Sequence, residues 1–316
     1  MAFSAETKKE LARVLPEKGC CALAEITGFA RINGAIRLAG GGRLGVTLSA
    51  DSPAVARTLK KLVQDYFHAE TSIEVVQGSK LRRRKSYRLI FEDPALGEML
   101  LLETGLMMED GEGKVLTDGI APEIISRRCC RRACLRGLFL AGGSVSDPEK
   151  GYHLEIVCSS ERTAADIRKL MNTFSLGARV VERRGSHVIY IKESEHIVDF
   201  LNIVGAHQHL LDYENVRIHK SILNQTNRIM NCESANMDKR LSAAEKHLED
   251  IRVIEESGAA DRLPKKLRDA AELRKAYPEL SLRELAQMAD PPVSKSGLNH
   301  RLEKIAEKAD EIRKNS

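Results

Sequence analysis

The stretch LRGLFLAGG, residues 135–143, opens a unit whose element order can be read along the chain. An apolar helix, CLRGLFLAGGSV (134–145), leads to the strand YHLEIVCSS (152–160) and to the helix ERTAADIRKLMNTF (161–174), whose apolar residues recur at helical spacing. The hairpin ARVVERRGSHVIYIK (178–192) follows, with Arg184-Gly185 where a tight two-residue turn is needed, and SEHIVDFLNIVGA (194–206) closes the unit as a helix. The same order starts at residue 20. The helix CCALAEITGFARING runs into the strands AIRLAG and RLGVTLSAD. Next comes the helix SPAVARTLKKLVQDYFHA, with Ser52 as N-cap and Pro53 at its first position. The hairpin TSIEVVQGSKLRRRKSYRLIFED and a closing helix from Pro94 complete the copy. Asn33 and Gly142 hold matching places 109 residues apart, a spacing that suits two copies of one αβ module rather than a solenoid.

The whole chain bounds what such a module can be. Its 316 residues exceed one ordinary core. Lys and Arg number 50 against 45 Asp and Glu, so the distribution of charge matters more than its sum. No apolar run reaches the roughly 18 residues of a membrane span. The N-terminal MAFSAETKKELARVLPEKG lacks the apolar centre of a signal peptide, and the expectation is a cytoplasmic protein with no membrane contact. Seven cysteines include the adjacent pairs Cys20-Cys21 and Cys129-Cys130. Cys129, Cys130 and Cys134 lack zinc-site spacing, so the cysteines read as small reduced apolar residues, with no metal and no cofactor expected. The nine histidines form no ligand pair, and His207 and His209 read as structural.

ITGFARING (26–34) and LRGLFLAGG both resemble the LAGLIDADG signature of homing endonucleases. Gly28 and Gly34, and Gly137 and Gly143, fall on its two glycines. The resemblance implies an α+β fold: a duplicated αββαββα module forming a pseudo-dimer, with the two motif helices packed at its centre where small residues let backbones approach. The metal-binding Asp of the signature is replaced by Asn33 in one copy and by Gly142 in the other. Two-metal phosphodiester hydrolysis needs hard anionic oxygens at both helix ends. Asn33 offers one neutral carbonyl oxygen and Gly142 offers no side chain, so the reading is that the scaffold is catalytically silent. Asp147, in VSDPEKG, belongs to turn chemistry before Pro148.

After residue 212 the strand patterns stop. The polar segment ENVRIHKSILNQTNRIMNCESANMDKRLSAAEKHLEDIRVIEE is helical, either as a bridge or as an open hairpin of helices. From residue 259 the pattern is all helix. SLRELAQMAD opens with a capping box, Ser281 and Glu284, and Pro291-Pro292 break it. SKSGLNHRLEKIAEKADEI follows, with Ser294 as N-cap. These two helices have helix-turn-helix proportions. Leu298, Leu302, Ile305, Ala309 and Ile312 form the core stripe of the second. Lys295, Ser296, Asn299, His300, Arg301 and Lys304 are left near its outward N-terminal end, from which a recognition helix reads base edges. The expected domains are residues 1–125 (first repeat with an N-terminal segment), 126–212 (second repeat), 213–258 (helical linker) and 259–316 (DNA-binding domain, helix-turn-helix about 280–313).

A degenerate LAGLIDADG pair followed by a sigma-factor-like helix-turn-helix resembles the WhiA family. The strings MAFSAETKKELARV, NRIMNCESANMDK and SKSGLNHRLEKI extend the resemblance over essentially the whole chain. It implies a promoter-binding transcriptional regulator of Gram-positive bacteria, tied to sporulation, cell division and chromosome segregation and located on the nucleoid. It also implies a silent nuclease-like domain that serves as a DNA or protein platform. The implied partners are double-stranded DNA and a WhiB-type regulator or the RNA polymerase–sigma machinery.

Two other basic stretches qualify this picture. KLRRRKSYR (80–88) has six basic residues in nine, on the second hairpin of the first copy. Lys80, Arg82, Arg83, Arg84, Lys85 and Arg88 are candidate phosphate contacts there, against the alternative of a solvated loop. The second copy has only Arg183 and Arg184 at the matching hairpin, which makes any saddle lopsided. SRRCCRRAC (126–134) precedes the second motif helix and leaves two readings open: arginines that only flank the domain join, or, because cations at a helix start oppose its dipole, a loop or a contact with an external anionic partner. An active endonuclease or RNA maturase, and a module that binds only protein, are the competing functions.

Overall fold

A computed structural model describes residues 2–39, 43–77, 85–91, 93–111 and 113–315. The chain divides into two compact units, 1–220 and 221–316.

In the first unit the predicted duplication is present. The first copy comprises α2 (Gly19–Asn33), β1 (Gly34–Ala39), β2 (Arg43–Ala50), α3 (Pro53–Phe67), β3 (Thr71–Gln77), β4 (Lys85–Phe91) and α4 (Pro94–Glu103). The second comprises α5 (Arg128–Gly142), β7 (Gly143–Val145), β8 (Leu154–Cys158), α6 (Glu161–Asn172), β9 (Arg179–Arg183), β10 (Ser186–Ile191) and α7 (Ser194–Val204). Each copy builds one antiparallel four-stranded sheet, in the orders β1-β2-β4-β3 and β7-β8-β10-β9. The Ser52 hydroxyl accepts from the Val55 amide at 3.3 Å and caps α3, and Ser160 does the same for α6 through Thr163 at 3.1 Å. Arg184 and Gly185 both have positive φ (53° and 73°), as a two-residue type I′ turn between β9 and β10 requires.

One helix, one hairpin and one strand had no sequence signal strong enough to be read. One is α1 (Ala2–Leu11), which packs on α3, α5 and β7 and buries Leu11 and Thr7. Another is the hairpin of β5 (Met107–Asp110) and β6 (Gly113–Leu116) between the copies. The third is β7, three residues long. The basic stretch 126–134 is placed differently from the sequence reading. The helix α5 begins at Arg128, so most of the stretch is its first two turns. Its cations spend their charge on backbone carbonyls: Arg131 Nε donates to the Ile125 oxygen at 2.9 Å and Arg132 Nε to the Ile203 oxygen at 2.8 Å.

Both central helices are buried almost throughout, Cys21–Ala30 in α2 and Cys130–Ala141 in α5, and one hydrophobic core spans both copies. Helices this apolar on every side belong inside a domain. The helix α8 (His207–Glu256) is uninterrupted for 50 residues, so the alternative of a helical hairpin is not formed. A carboxylate from elsewhere caps its start. Glu10 of α1 accepts from the Gln208 amide at 2.7 Å, from the His209 amide at 3.1 Å and from the His209 ring. His209 is therefore structural, as its position suggested.

The second unit has its own core. Ile251 and Ile254 of α8 join residues of α9 (Lys265–Ala276), α10 (Leu282–Met288) and α11 (Lys295–Asn315). The capping box at Ser281 and Glu284 is formed, and the Ser294 hydroxyl accepts from the Gly297 amide at 3.1 Å. Leu298, Leu302, Ile305 and Ala309 are buried as the stripe predicts, with Ile312 packed against them.

Candidate nucleic-acid interface

The ends of α2 and α5 hold Asn33 and Gly142, the positions that the resemblance matches to the metal-binding Asp of the signature. The helices approach at Gly28 and Gly137. A Cβ at Gly28 would collide with the Cys134 carbonyl oxygen, and one at Gly137 with that of Glu25. Gly34 and Gly143 do a different job from the one expected of the second motif glycines. They are the extended C-caps of their helices, where a Cβ would run into the helix's own last turn at Ala30 and Phe139.

Neither former acid position is free for metal. The Asn33 amide nitrogen donates to the Ala141 carbonyl at 3.0 Å, tying the two helix ends together. At Gly142 a Cβ would lie 2.5 Å from Ile32 Cγ2 and 2.8 Å from the Val157 carbonyl oxygen. Ile32 therefore occupies the space a side chain at position 142 would need. Asp147 accepts from the Glu149 amide at 3.0 Å within its own turn.

Deeper in the same helix seam, Arg136 donates to one oxygen of Glu25 through Nε (3.0 Å) and Nη2 (2.6 Å), and to the Val204 carbonyl at 3.2 Å. Burial pushes the Glu25 carboxyl up while Arg136 pulls against it. This pair joins the two repeats.

The sheets offer the next surface. In the first, register places Ser49, Arg88 and Glu74 in one row on the face away from Leu48, Leu89 and Ile73. Arg88 spends part of its charge on Glu74, 3.7 Å away. Lys85 is exposed but falls on the other side of the pleat from Arg88. Lys80, Arg82, Arg83 and Arg84 lie outside the described residues. In the second sheet Arg179, Tyr190 and Glu155 form one row, and Arg183 pairs with Ser186 on the same face. The His153 ring stacks on Tyr190 at 6.0 Å, and Lys192 Nζ stands 5.3 Å from the Tyr190 ring. Sequence reading credited this copy with Arg183 and Arg184 alone. The strand period was the signal that could have added Arg179.

The second unit presents its cations at the start of α11. Lys295, Ser296, His300 and Lys304 are exposed, while Asn299 and Arg301 are half-buried. Asn299 is engaged: its amide donates to Glu303 Oε1 at 2.7 Å, one turn along. The Ser296 and Ser294 hydroxyls are 3.1 Å apart. The helix is held from the other end, where Arg313 Nη1 is 2.9 Å from the buried carboxylate of Asp250 on α8.

The fold and these two sites define a class: a duplicated LAGLIDADG-like scaffold whose acid positions are refilled, carried with a helix-turn-helix domain. Comparison with known proteins narrows it. The WhiA N-terminal LAGLIDADG-like domain model matches residues 19–107, the WhiA LAGLIDADG-like domain model matches 131–223, and the WhiA C-terminal HTH domain model matches 226–309. The chain is 42% identical over 313 residues to a probable cell division protein WhiA of Alkaliphilus metalliredigens, covering 99% of both. It is 42% identical over 315 residues to that of Clostridium novyi, again with 99% of both covered. The crystal structure of full-length WhiA from Thermatoga maritima aligns with 98% of this chain and of its own at 28% identity, with a TM-score of 0.59. The chain belongs to the WhiA family.

Proposed function

We propose that this protein is a sequence-specific DNA-binding transcriptional regulator acting in cell division, and that its LAGLIDADG-like unit cuts nothing. The observation that carries the reading is the outward start of α11. A helix locked on its apolar stripe and capped at Ser294 leaves Lys295, His300 and Lys304 exposed at the end that enters a major groove. Lys295 and Lys304 meet phosphate, and Asn299 and Arg301 read base edges once Asn299 exchanges Glu303 for a base. The loss of cutting is supported by Asn33 and Gly142, whose places are taken by an interhelix hydrogen bond and by Ile32.

In this reading the first unit is a platform. Its outward faces, with Arg88 on one sheet and Arg179, Arg183 and Tyr190 on the other, add contacts without sequence information. Lys80, Arg82, Arg83 and Arg84 extend the same role, and Lys85, exposed but on the other side of the pleat, adds charge beside them. The relatives' printed names supply the cell-division setting. A sigma-like helix-turn-helix also suits contact with RNA polymerase or with a WhiB-type regulator at a promoter, on the nucleoid.

The test is selection of binding sites from genomic fragments by the full chain, with Mg²⁺ present. Enrichment of a shared sequence in uncut fragments is expected. Failure to enrich any sequence above non-specific DNA contradicts regulation, and discrete cuts contradict the silent scaffold.

A further inference from the structure

The two adjacent cysteine pairs stand in matching places of the two repeats, at the starts of the central helices. Cys20 and Cys21 lie in the first turn of α2, and Cys129 and Cys130 in the first turn of α5. Packing of α2 on α5 superimposes the pairs. The sulfur atoms of Cys20, Cys21 and Cys130 all lie within 4.8 Å of one another. Cys129 precedes Cys130 in the same first turn of α5 and is half-buried. At about 1.5 Å of rise per residue, this cluster is about 20 Å from Asn33 and Gly142, at the other end of the same helices.

We propose that Cys20, Cys21, Cys129 and Cys130 form a thiolate site for a thiophilic divalent cation of the Zn²⁺ type, which clasps the starts of the two repeats together. A tetrahedral site with metal–sulfur bonds of about 2.3 Å needs sulfurs about 3.8 Å apart, a closure of at most about 1 Å for Cys20, Cys21 and Cys130, with Cys129 brought in by a rotamer change. The burial pattern is that of a closed site with one entry. Cys21 and Cys130 are buried, and Cys20 and Cys129 are half-buried. Four thiolates around a dication leave two negative charges. The positive ends of two helices offset these, with Lys18 and Arg127 at the N-caps. Arg127 Nη1 already lies 3.9 Å from the Cys20 sulfur. A disulfide would need only two sulfurs. Three sulfurs from two helix turns already converge, with a fourth, Cys129, in the same turn as Cys130, which is the arrangement a metal asks for. Binding moves no electrons: each sulfur still protonated gives its proton to solvent as its metal bond replaces a metal–water bond.

The experiment titrates the reduced, metal-free full chain with Co²⁺ and then with Zn²⁺. One equivalent of Co²⁺ is expected, with intense thiolate-to-cobalt charge-transfer absorption and tetrahedral visible bands, displaced by one equivalent of Zn²⁺. The variant Cys20→Ser/Cys129→Ser should lose the charge-transfer band. Its Co²⁺ affinity should fall by more than the roughly 10–100-fold that loss of an outer-shell partner costs. Cys232→Ser, exposed on α8, should bind as the unsubstituted chain does. Circular dichroism of the metal-free double variant checks its folding. Should it misfold, alkylation of the unsubstituted chain decides: Zn²⁺ should protect these four thiols and leave Cys232 reactive. Absence of stoichiometric Co²⁺ binding by the folded reduced chain overturns the site. Retention of the band in a folded double variant, or disulfides that bind no metal after reduction, does the same.

Discussion

The side chain of Ile32 fills the space that a Cβ at Gly142 would enter, 2.5 Å from the Ile32 Cγ2 atom. A side chain at position 142 therefore has no room without moving Ile32. At Asn33 the amide donates to Ala141, where a carboxylate could only repel.

Restoring the acids should not restore cutting. Gly142→Asp should cost about 1–3 kcal/mol through overpacking, and Asn33→Asp about 1–3 kcal/mol by setting an acceptor against the Ala141 carbonyl. Urea unfolding and a supercoiled-plasmid assay with Mg²⁺ or Mn²⁺ check both. A double variant as stable as the parent, or one that nicks DNA, would show that the metal position is still open.

The buried pair at the seam should behave asymmetrically. Arg136→Met strands the Glu25 carboxylate in the core and should cost about 3–5 kcal/mol, whereas Glu25→Leu/Arg136→Met should recover much of it. Chemical denaturation of the three chains gives the comparison. A single variant within about 0.5 kcal/mol of the parent would mean the pair is solvated or dispensable.

Acid should weaken the first unit through two carboxyls. Burial raises Glu10, but hydrogen bonds from His209 and the Gln208 amide outweigh it and hold the carboxyl below its usual range. At Asp118 burial is likewise outweighed, by hydrogen bonds from Ser160, Thr163 and the Gly119 amide. Unfolded, these groups titrate near about 4.3 and 3.9. The unfolded chain binds more protons in that window, so their stabilisation is complete above those values and is lost as pH falls through the folded pKa. Glu10→Gln should lower stability at neutral pH and flatten the decline in acid. An unchanged acid slope would remove Glu10 from this account.

Under the proposed function the hydrogen bond from Asn299 to Glu303 competes with DNA. Glu303→Ala frees the amide and removes a negative charge from the groove-facing end, so binding to a selected site should tighten by about 1 kcal/mol. Lys304→Ala should weaken all sequences alike and reduce the salt slope by about one. Fluorescence anisotropy at several salt concentrations separates these effects. Weaker binding by Glu303→Ala would mean the carboxylate positions Asn299 for reading.

Much of this was legible in the sequence because it rests on local rules. Period-3.6 and period-2 runs with Ser52, Ser281 and Ser294 at helix starts give the element order, and the paired glycines give the helix seam. What escaped reading depends on contacts between distant residues. The polar α1 reveals its role only through Glu10 beneath α8. β7 is too short to show a period, and the stretch 126–134 looks external until Arg131 and Arg132 are seen on carbonyls. Arg136 gave no sign that it would meet Glu25, 111 residues away. Cysteine spacing within each stretch carries no metal signal, while packing joins the first pair to the second.

The central claim is that specificity resides at the start of α11. Its most direct test measures the affinity of the full chain and of Asn299→Ala/Arg301→Ala for a selected site and for a scrambled duplex. The account predicts a loss of roughly 1–3 kcal/mol per side chain on the selected site, little change on the scrambled one and unchanged folding. Equal affinity of the two chains for the selected site would contradict it.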